Sequence, residues 1–330
     1  MPNRSATSTL FGFEFQVNAA IVIMIEHIES LSSIRMEGKE DIDIQLNNGN
    51  NILAQAKAVV QGNRDFKNVL ANLKKAMESL SEACYNQNVE EIIYITNSAN
   101  PFNVKSESYI FQGPPAYRQY DTLLPKSKAK LDAIISNLSF QIDKSKLTIQ
   151  TLPFEIGHKR EQYKYVWSAI DELLGKIEIG SISKENLHAI WQNDIFHSGT
   201  IPNQEIKLTK KDIIWPIIVM SINQENYDNY NLDEAEVEEV SRLYSNIINT
   251  YTERYEFLTK VLHAFNDFLK DRIIKERIRI FVSEKYVDFL YIMDETSIDD
   301  HLKEIIIKII LTNILTKRFQ IKRIKERVNL

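Results

Sequence analysis

A chain of 330 residues is long enough to bury a sizeable core, and its length favours two domains. Its net charge of −5 excludes a general electrostatic attraction to nucleic acid, so any contact with DNA must come from a local basic surface. Cys84 is the only cysteine in the sequence, which excludes an intramolecular disulfide and a zinc site built from several cysteines.

The sequence predicts a cytoplasmic protein that does not associate with membranes. Residues 1–13 lack the continuous apolar core of a signal peptide. The most apolar later run, residues 305–315, is interrupted by Lys308 and is too short to cross a bilayer.

Residues 14–32 show the apolar spacing of a helix, with side chains such as Phe15 and Ala19 on the face that would meet a core. Gln16, Glu26 and His27 are polar residues within this helix. Each is either a member of a site or a solvated or hydrogen-bonded side chain, and the spacing does not decide between these two roles.

Residues 37–57 predict a β-hairpin whose polar side chains share one face. The first half alternates, so that Asp41 and Asp43 project opposite to the intervening isoleucine side chains. An Asn-Gly pair then supplies the positive φ that a tight hairpin turn requires. In the return strand Gln55 and Lys57 lie two residues apart and therefore project from the same face.

This set of side chains suits metal-assisted hydrolysis of a phosphodiester. Asp43, the Gln55 amide oxygen and the Ala56 carbonyl are hard oxygen ligands that would hold Mg²⁺ or Mn²⁺ and leave positions for water and phosphate. Lys57 would orient or deprotonate the attacking water and stabilise the negative charge that develops on phosphorus. The spacing alone is also typical of a solvated hairpin face, where acids and lysines are common.

Four features in this order resemble the PD-(D/E)xK nuclease superfamily in its QxK variant. They cover roughly the first hundred residues: RSATST with residues 12–16 opening the first helix, the EGKEDIDI strand, the QAK strand, and IIYITNS at 92–98. The segment is most similar to the double-stranded-DNA nuclease domain of bacterial anti-phage effectors. Gln55 stands where the motif more commonly has an acid, which places more of the metal affinity on Asp43 and backbone oxygen.

The resemblance implies a fold and a set of catalytic residues. The expected fold is an α/β restriction-endonuclease-like domain, with a mixed sheet flanked by helices, over residues 1–178. The expected catalytic residues come from the hairpin and the first helix: Asp43, Gln55, Lys57, Asp41, Glu40 and Gln16.

Between the hairpin and residue 178 the pattern predicts further helices and strands. A helix over 64–85 carries basic residues that either contact DNA phosphates or form a solvated face: Arg64, Lys67, Lys74 and Lys75. The other expected elements are a strand at 92–96, a long loop at 101–125, a helix at 126–137, strands at 139–142 and 147–152, and a helix at 161–177. The order of elements fits an α/β core.

Residues 179–330 predict an all-α domain for oligomerisation and partner docking. Helices are expected from residue 187, at 212–222 with a kink or start at Pro216, at 233–251 after an Asp233–Glu236 capping pattern, onwards to 279, and after Ser297–Asp300. His188 and His197 have no third ligand nearby and are not interpreted as a metal site.

The last helix combines a very apolar stretch with a basic end. Residues 305–315 are more apolar than a lone surface helix requires, which indicates burial between helices or subunits. Residues 316–330 carry a local charge of +5. This end either binds DNA or an acidic partner, or is a solvated helix end whose cations suit the helix dipole.

The resemblance implies a DNA endonuclease effector of an anti-phage system that acts on double-stranded DNA as a homo-oligomer. The helical second half favours the Lamassu type, in which an SMC-like ATPase and an accessory subunit restrain the nuclease and assembly activates it. A nuclease paired with a HerA-type helicase is the main alternative. A CBASS-like effector fits less well, because such effectors carry an α/β nucleotide-sensing domain. A non-catalytic DNA-binding scaffold is a further alternative from a different class.

Overall fold

The computed structural model describes residues 6–64, 66–203, 205–222, 237–238, 240–242, 254–293 and 299–330. The chain forms two compact units. The first comprises residues 1–178 and 183–210, and the second comprises residues 179–182 and 211–330. The first unit therefore extends past the predicted boundary at residue 178, because the helix and the short strand that follow pack against elements from the start of the chain.

The first unit is built on a mixed seven-stranded sheet with the order β5-β6-β4-β3-β2-β1-β7. The strands are β1 Leu31–Met36, β2 Ile42–Leu46, β3 Asn51–Lys57, β4 Val89–Thr96, β5 Ala116–Gln119, β6 Leu147–Thr151 and β7 Leu208–Thr209. Strands β3, β4 and β6 are parallel to one another, and the remaining neighbours pair antiparallel.

Helices cover both faces of this sheet. They are α1 Ala6–Glu26, α2 Val69–Cys84, α3 Pro125–Ile135, α4 Lys159–Gln162, α5 Lys164–Lys176 and α6 Lys184–Thr200. Ile149 of β6 belongs to the core that includes Leu73 of α2 and Leu131 of α3. The next residue, Gln150, points to the other face and donates a hydrogen bond from Nε2 to Glu26 Oε1 of α1 at 2.8 Å. The predicted α/β arrangement, a mixed sheet flanked by helices, is confirmed.

The predicted hairpin is confirmed, although Asp41, expected on its first strand, lies just before that strand. Strands β2 and β3 pair antiparallel with Asp43 opposite Leu53. The turn contains Gly49 at φ 83°, the left-handed conformation that an Asn-Gly turn was expected to supply.

Several boundaries differ from the sequence prediction. The first helix ends at Glu26 instead of residue 32, and residues 31–36 form β1, which pairs with β2 and β7. The helix expected from residue 64 starts at Val69, residues 139–142 do not form a strand, and the expected loop at 101–125 contains β5. β1 was missed because a register shift between Leu31 and Ser33 breaks the simple alternation that identifies a strand.

Regular structure in the described part of the second unit is helical, which confirms that part of the prediction. The helices are α7 Lys210–Ile222, α8 Arg254–Asp267, α9 Ile274–Lys285, α10 Asp300–Thr316 and α11 Arg318–Arg327, with a 3₁₀ segment over Tyr286–Met293. α7 begins at the boundary between the units and contains Pro216 within its length. The predicted helix at 233–251 lies outside the described residues.

The apolar and basic halves of the last predicted helix are two helices, separated at Lys317. Asp299 caps the first of them, since its carboxylate accepts a hydrogen bond from the His301 N–H at 3.0 Å. Ser297, the expected cap, lies outside the described residues. The isoleucines of α10 are buried against helices of the same unit, as the apolar stretch predicted.

Residues Thr7–Glu26 of α1 form a helix that is long and apolar enough to cross a membrane by length and composition. More than half of this stretch is buried inside the protein, which is also the behaviour of a core helix in a soluble protein. Burial of Phe15, Ala19 and Val22 confirms the predicted core face of the helix.

Asn97, which follows β4, fixes the loop that follows β3. Its Oδ1 accepts a hydrogen bond from the Val59 N–H at 2.8 Å, and its Nδ2 donates to the carbonyls of Val59 and Phe154, both at 2.7 Å. These three hydrogen bonds are hereafter called the Asn97 clamp. Gly62 packs against the Asn97 backbone, where a side chain would not fit because a Cβ would lie 2.3 Å from the Asn97 carbonyl oxygen. The loop leaving Lys57 is therefore held against β4.

We predict that Asn97→Ala lowers the free energy of unfolding by about 2–3 kcal/mol, because it leaves the buried backbone groups of Val59 without their partner. Urea denaturation measures this decrease. The control is Asn63→Ala, whose exposed side chain donates to Glu155, and we expect its effect to stay within about 0.5 kcal/mol. Equal decreases in the two variants would contradict the clamp.

Candidate functional site

The polar side chains of the hairpin meet at the corner where β2 begins and β3 ends. Because Asp43 is in register with Leu53, it shares a sheet face with Gln55 and Lys57, and this is the face that α2 covers. Glu40 and Asp41 lie just before β2. The five side chains, Glu40, Asp41, Asp43, Gln55 and Lys57, are hereafter called the hairpin corner.

Asp41 is the acid of the corner that contacts Lys57. Its Oδ2 accepts hydrogen bonds from Lys57 Nζ at 3.1 Å and from the Ala56 backbone N–H at 2.9 Å. The Asp41 and Lys57 side chains are 12% and 29% exposed, so the ion pair is partly shielded from bulk water. The sequence predicted Asp43 as the metal ligand beside Lys57, whereas the acid that contacts Lys57 is Asp41.

Glu40 lies deeper, with only 4% of its surface exposed. It accepts a hydrogen bond from Gln55 Nε2, and Ser79 Oγ of α2 lies 2.9 and 3.0 Å from its two carboxylate oxygens. Burial raises the pKa of Glu40 to about 7, although the bonds from Ser79 and Gln55 act in the opposite direction. Ser79 was not identified from the sequence, because only the fold brings α2 to the corner.

Asp43 holds the turn that precedes β2. Its carboxylate accepts hydrogen bonds from the backbone N–H groups of Lys39 at 2.7 Å and Glu40 at 3.2 Å. Burial raises the pKa of Asp43, and these two N–H groups partly offset that effect. The turn passes close to the carboxylate at Gly38, where a Cβ would lie 2.2 Å from Asp43 Oδ2. Direct metal ligation by Asp43 stays a prediction.

Gln16 is not joined to the corner by any hydrogen bond within the described residues. It lies on α1, which packs against the opposite face of the sheet from α2. Its catalytic role stays a prediction. The other two polar residues of that helix have partners elsewhere: Glu26 accepts from Gln150, and His27 Nε2 lies 3.5 Å from Glu91.

The predicted DNA-binding residues fall into two groups. Arg64 and Lys67 precede α2, whereas Lys74 and Lys75 lie on it. Lys74 forms an ion pair with Glu78 at 3.8 Å on the helix surface.

The donor atoms of the corner suit a hard divalent cation with few protein ligands. No group of three or more His, Cys, Asp or Glu side chains within the described ranges is arranged to hold a metal ion. Mg²⁺, however, commonly takes one or two carboxylates and keeps several waters. Glu40 and Asp41 supply two carboxylates, and the Gln55 amide and the Ala56 carbonyl supply the neutral oxygens that the sequence predicted. The chemistry of the donor set therefore fits Mg²⁺ or Mn²⁺.

His188 has a structural role in the core of the first unit. Its Nδ1 accepts a hydrogen bond from the Trp167 indole N–H at 3.0 Å, so the proton is on Nε2, which donates to Asn18 Oδ1 at 2.7 Å. Burial lowers the pKa of His188 to about 4, which keeps the ring neutral. This arrangement explains the histidine without a second metal site.

No protein-family model matches the chain, and searches of curated proteins and of solved structures also find no match. The likeness to PD-(D/E)xK nucleases therefore rests on the sequence motifs alone. Any function assigned to the protein must be supported by the contacts of the hairpin corner itself.

The raised pKa of Glu40 predicts a pH-dependent stability. The folded protein retains a proton between the ordinary pKa of 4.5 and about 7, whereas the unfolded chain releases it. Glu40 should therefore lower the free energy of unfolding as pH rises through this window, by at most about 1.4 kcal/mol per pH unit. Glu26, whose pKa is also raised by burial to about 7, adds a decrease of the same sign. Urea denaturation between pH 5 and 7.5 measures the total slope, which Glu40→Gln should reduce by the Glu40 contribution. Glu78→Gln, an exposed acid on α2, should keep the wild-type slope, and an unchanged slope in Glu40→Gln would refute the prediction.

The turn held by Asp43 can be tested by hydrogen exchange. Both Asp43→Ala and Gly38→Ala should speed exchange of the Lys39 and Glu40 amides by about fivefold, which corresponds to a bond worth about 1 kcal/mol. The double variant should be no faster than either single variant, because both changes remove the same contact. Gly175→Ala, where a Cβ meets nothing within 4 Å, is the control. Additive effects would show that Gly38 and Asp43 act separately.

Proposed function

We propose that the protein is a metal-dependent endonuclease that hydrolyses double-stranded DNA at the hairpin corner. The observation that carries the proposal is the contact of Asp41 with Lys57 at 3.1 Å, beside Glu40 and Gln55. Carboxylates, an amide and a lysine at the end of a hairpin together suit metal-assisted phosphodiester cleavage. The motifs that resemble PD-(D/E)xK nucleases support the same function and a restriction-endonuclease-like fold.

Each side chain of the corner has a role in this proposal. Asp41 and Glu40, with the Gln55 amide oxygen and the Ala56 carbonyl, would hold Mg²⁺ or Mn²⁺, which would supply Lewis acidity for hydrolysis. Lys57 stabilises the negative charge that develops on the phosphate, and its ion pair with Asp41 fixes its position. Asp43 positions Glu40 and Asp41 through the backbone of the turn.

The regulation that we propose is restraint by partner proteins and activation by assembly, in a bacterial anti-phage system of the Lamassu type. The helical second unit supports protein partners over nucleotide sensing. α11 presents cations such as Lys322 to solvent, together with Phe319, which is 71% exposed. An SMC-like ATPase complex is the expected partner, and a HerA-type helicase is the alternative.

A non-catalytic DNA-binding scaffold is the second candidate function. One observation favours it: all three acids of the corner already have partners. Asp41 contacts Lys57, Glu40 contacts Gln55 and Ser79, and Asp43 contacts backbone N–H groups. A scaffold would keep these contacts permanently, whereas an enzyme exchanges some of them when the metal and substrate bind.

Cleavage of plasmid DNA by the purified protein discriminates between these functions. We expect cleavage with Mg²⁺ or Mn²⁺, its loss with EDTA, and a decrease of at least about 100-fold in Asp41→Asn and in Lys57→Ala, which remove a metal ligand and a charge on the phosphate. Asp121→Asn is the matched control, because Asp121 also pairs with a lysine, Lys128, at 3.4 Å on an exposed surface. Full activity in folded Asp41→Asn or Lys57→Ala would exclude this site, and absence of wild-type cleavage would favour the scaffold.

A further inference from the structure

One flank of α2 faces the hairpin corner, and Ser79 identifies it. Ser79 Oγ lies 2.9 and 3.0 Å from the two carboxylate oxygens of Glu40. Since an α-helix turns by about 100° per residue, Asn72 and Lys75 lie within about 20° and 40° of the direction of Ser79. Ser79, Lys75 and Asn72 therefore form one line along the helix, which is hereafter called the site flank of α2.

The neighbouring lysine occupies a different flank. By the same arithmetic Lys74 lies about 140° from the direction of Ser79, and it pairs with Glu78 at 3.8 Å. Both lysines are exposed to solvent. Buried residues such as Leu73 and Met77 occupy the side of the helix that faces the sheet. Lys74 and Lys75 thus share a helix and a charge and differ in which side of the helix they occupy.

A DNA strand that reaches the hairpin corner needs positively charged side chains next to the corner. The corner carries the carboxylates of Asp41 and Asp43, and Glu40 adds part of a charge because its pKa is raised to about 7. This negative charge repels a phosphate. Lys57 contacts one of these acids, so its charge is partly neutralised by Asp41. A second ammonium group beside the corner would offset the repulsion for the phosphate next to the one being cleaved.

We propose that Lys75 binds a backbone phosphate of the DNA substrate, with the Asn72 amide donating to the same strand, and that Lys74 does not. The inference rests on the proposed function, because it takes DNA as the substrate. It deepens that function by assigning the site flank of α2 as the wall along which the strand runs. Phosphate contacts of this kind position the strand without reading its sequence.

Binding of a fluorescent DNA duplex by the full chain, measured by anisotropy in EDTA over a series of KCl concentrations, tests the assignment. A plot of log affinity against log salt has a negative slope. Lys75→Gln should make this slope shallower by about 0.9, the value that corresponds to one fewer phosphate neutralised by the protein. Lys74→Gln, which removes the same charge one residue away, should keep the wild-type slope. Lys75→Arg should restore the slope, because the charge returns.

Steady-state cleavage gives an independent readout. A contact that binds substrate and transition state equally should raise the KM of Lys75→Gln and leave its kcat within about twofold of wild type. If the wild type cleaves DNA and Lys75→Gln has the same salt slope as Lys74→Gln, the assignment of Lys75 is overturned while the nuclease proposal stands. If the wild type neither binds nor cleaves the duplex, the assignment and the nuclease proposal fail together.

Discussion

The carboxylate of Asp41 joins the start of one strand to the end of the next, and the arrangement of the candidate site depends on this contact. It accepts one hydrogen bond from the backbone of β3, at Ala56, and one from the Lys57 side chain. The backbone bond fixes the carboxylate relative to the sheet, and the side-chain bond fixes the ammonium relative to the carboxylate. The ammonium group of Lys57 is therefore held next to the carboxylate before a substrate binds.

Three acids close together are unfavourable unless each has a way to reduce its charge or to satisfy its oxygens. The corner uses a different solution for each acid. Asp41 has a cation, Asp43 has backbone N–H groups, and Glu40 keeps its proton to near neutral pH because burial raises its pKa. Perturbed groups of this kind concentrate at functional sites. A divalent cation would stabilise the ionised form of Glu40, so metal binding and proton release are expected to be coupled at this position.

The two faces of the sheet differ in how their polar side chains are arranged. On the α2 face the sheet carries the hairpin corner, where β2 begins and β3 ends, and an apolar core that includes Leu53 and Ile149. On the α1 face several polar groups are paired internally, as in the Asn18–His188–Trp167 chain and the hydrogen bond from Gln150 to Glu26. Asn18 and Glu26 of α1 therefore join this helix to α6 and to β6.

The sequence by itself determined the hairpin, its turn and the common face of Gln55 and Lys57, because side-chain alternation and Asn-Gly turn chemistry are local properties. The register that brings Asp43 to the same face came from the structure. The sequence also determined the buried face of α10 through helical spacing. Only the tertiary structure decided that residues 31–36 form a strand, since that strand is stabilised by its neighbours and its own alternation is broken. The same holds for the contact of Asp41 with Lys57, for Asp43 turning to the backbone of Lys39, and for Ser79 reaching Glu40. These contacts join residues whose separation in the chain carries no periodic signal, so only the folded chain brings them together.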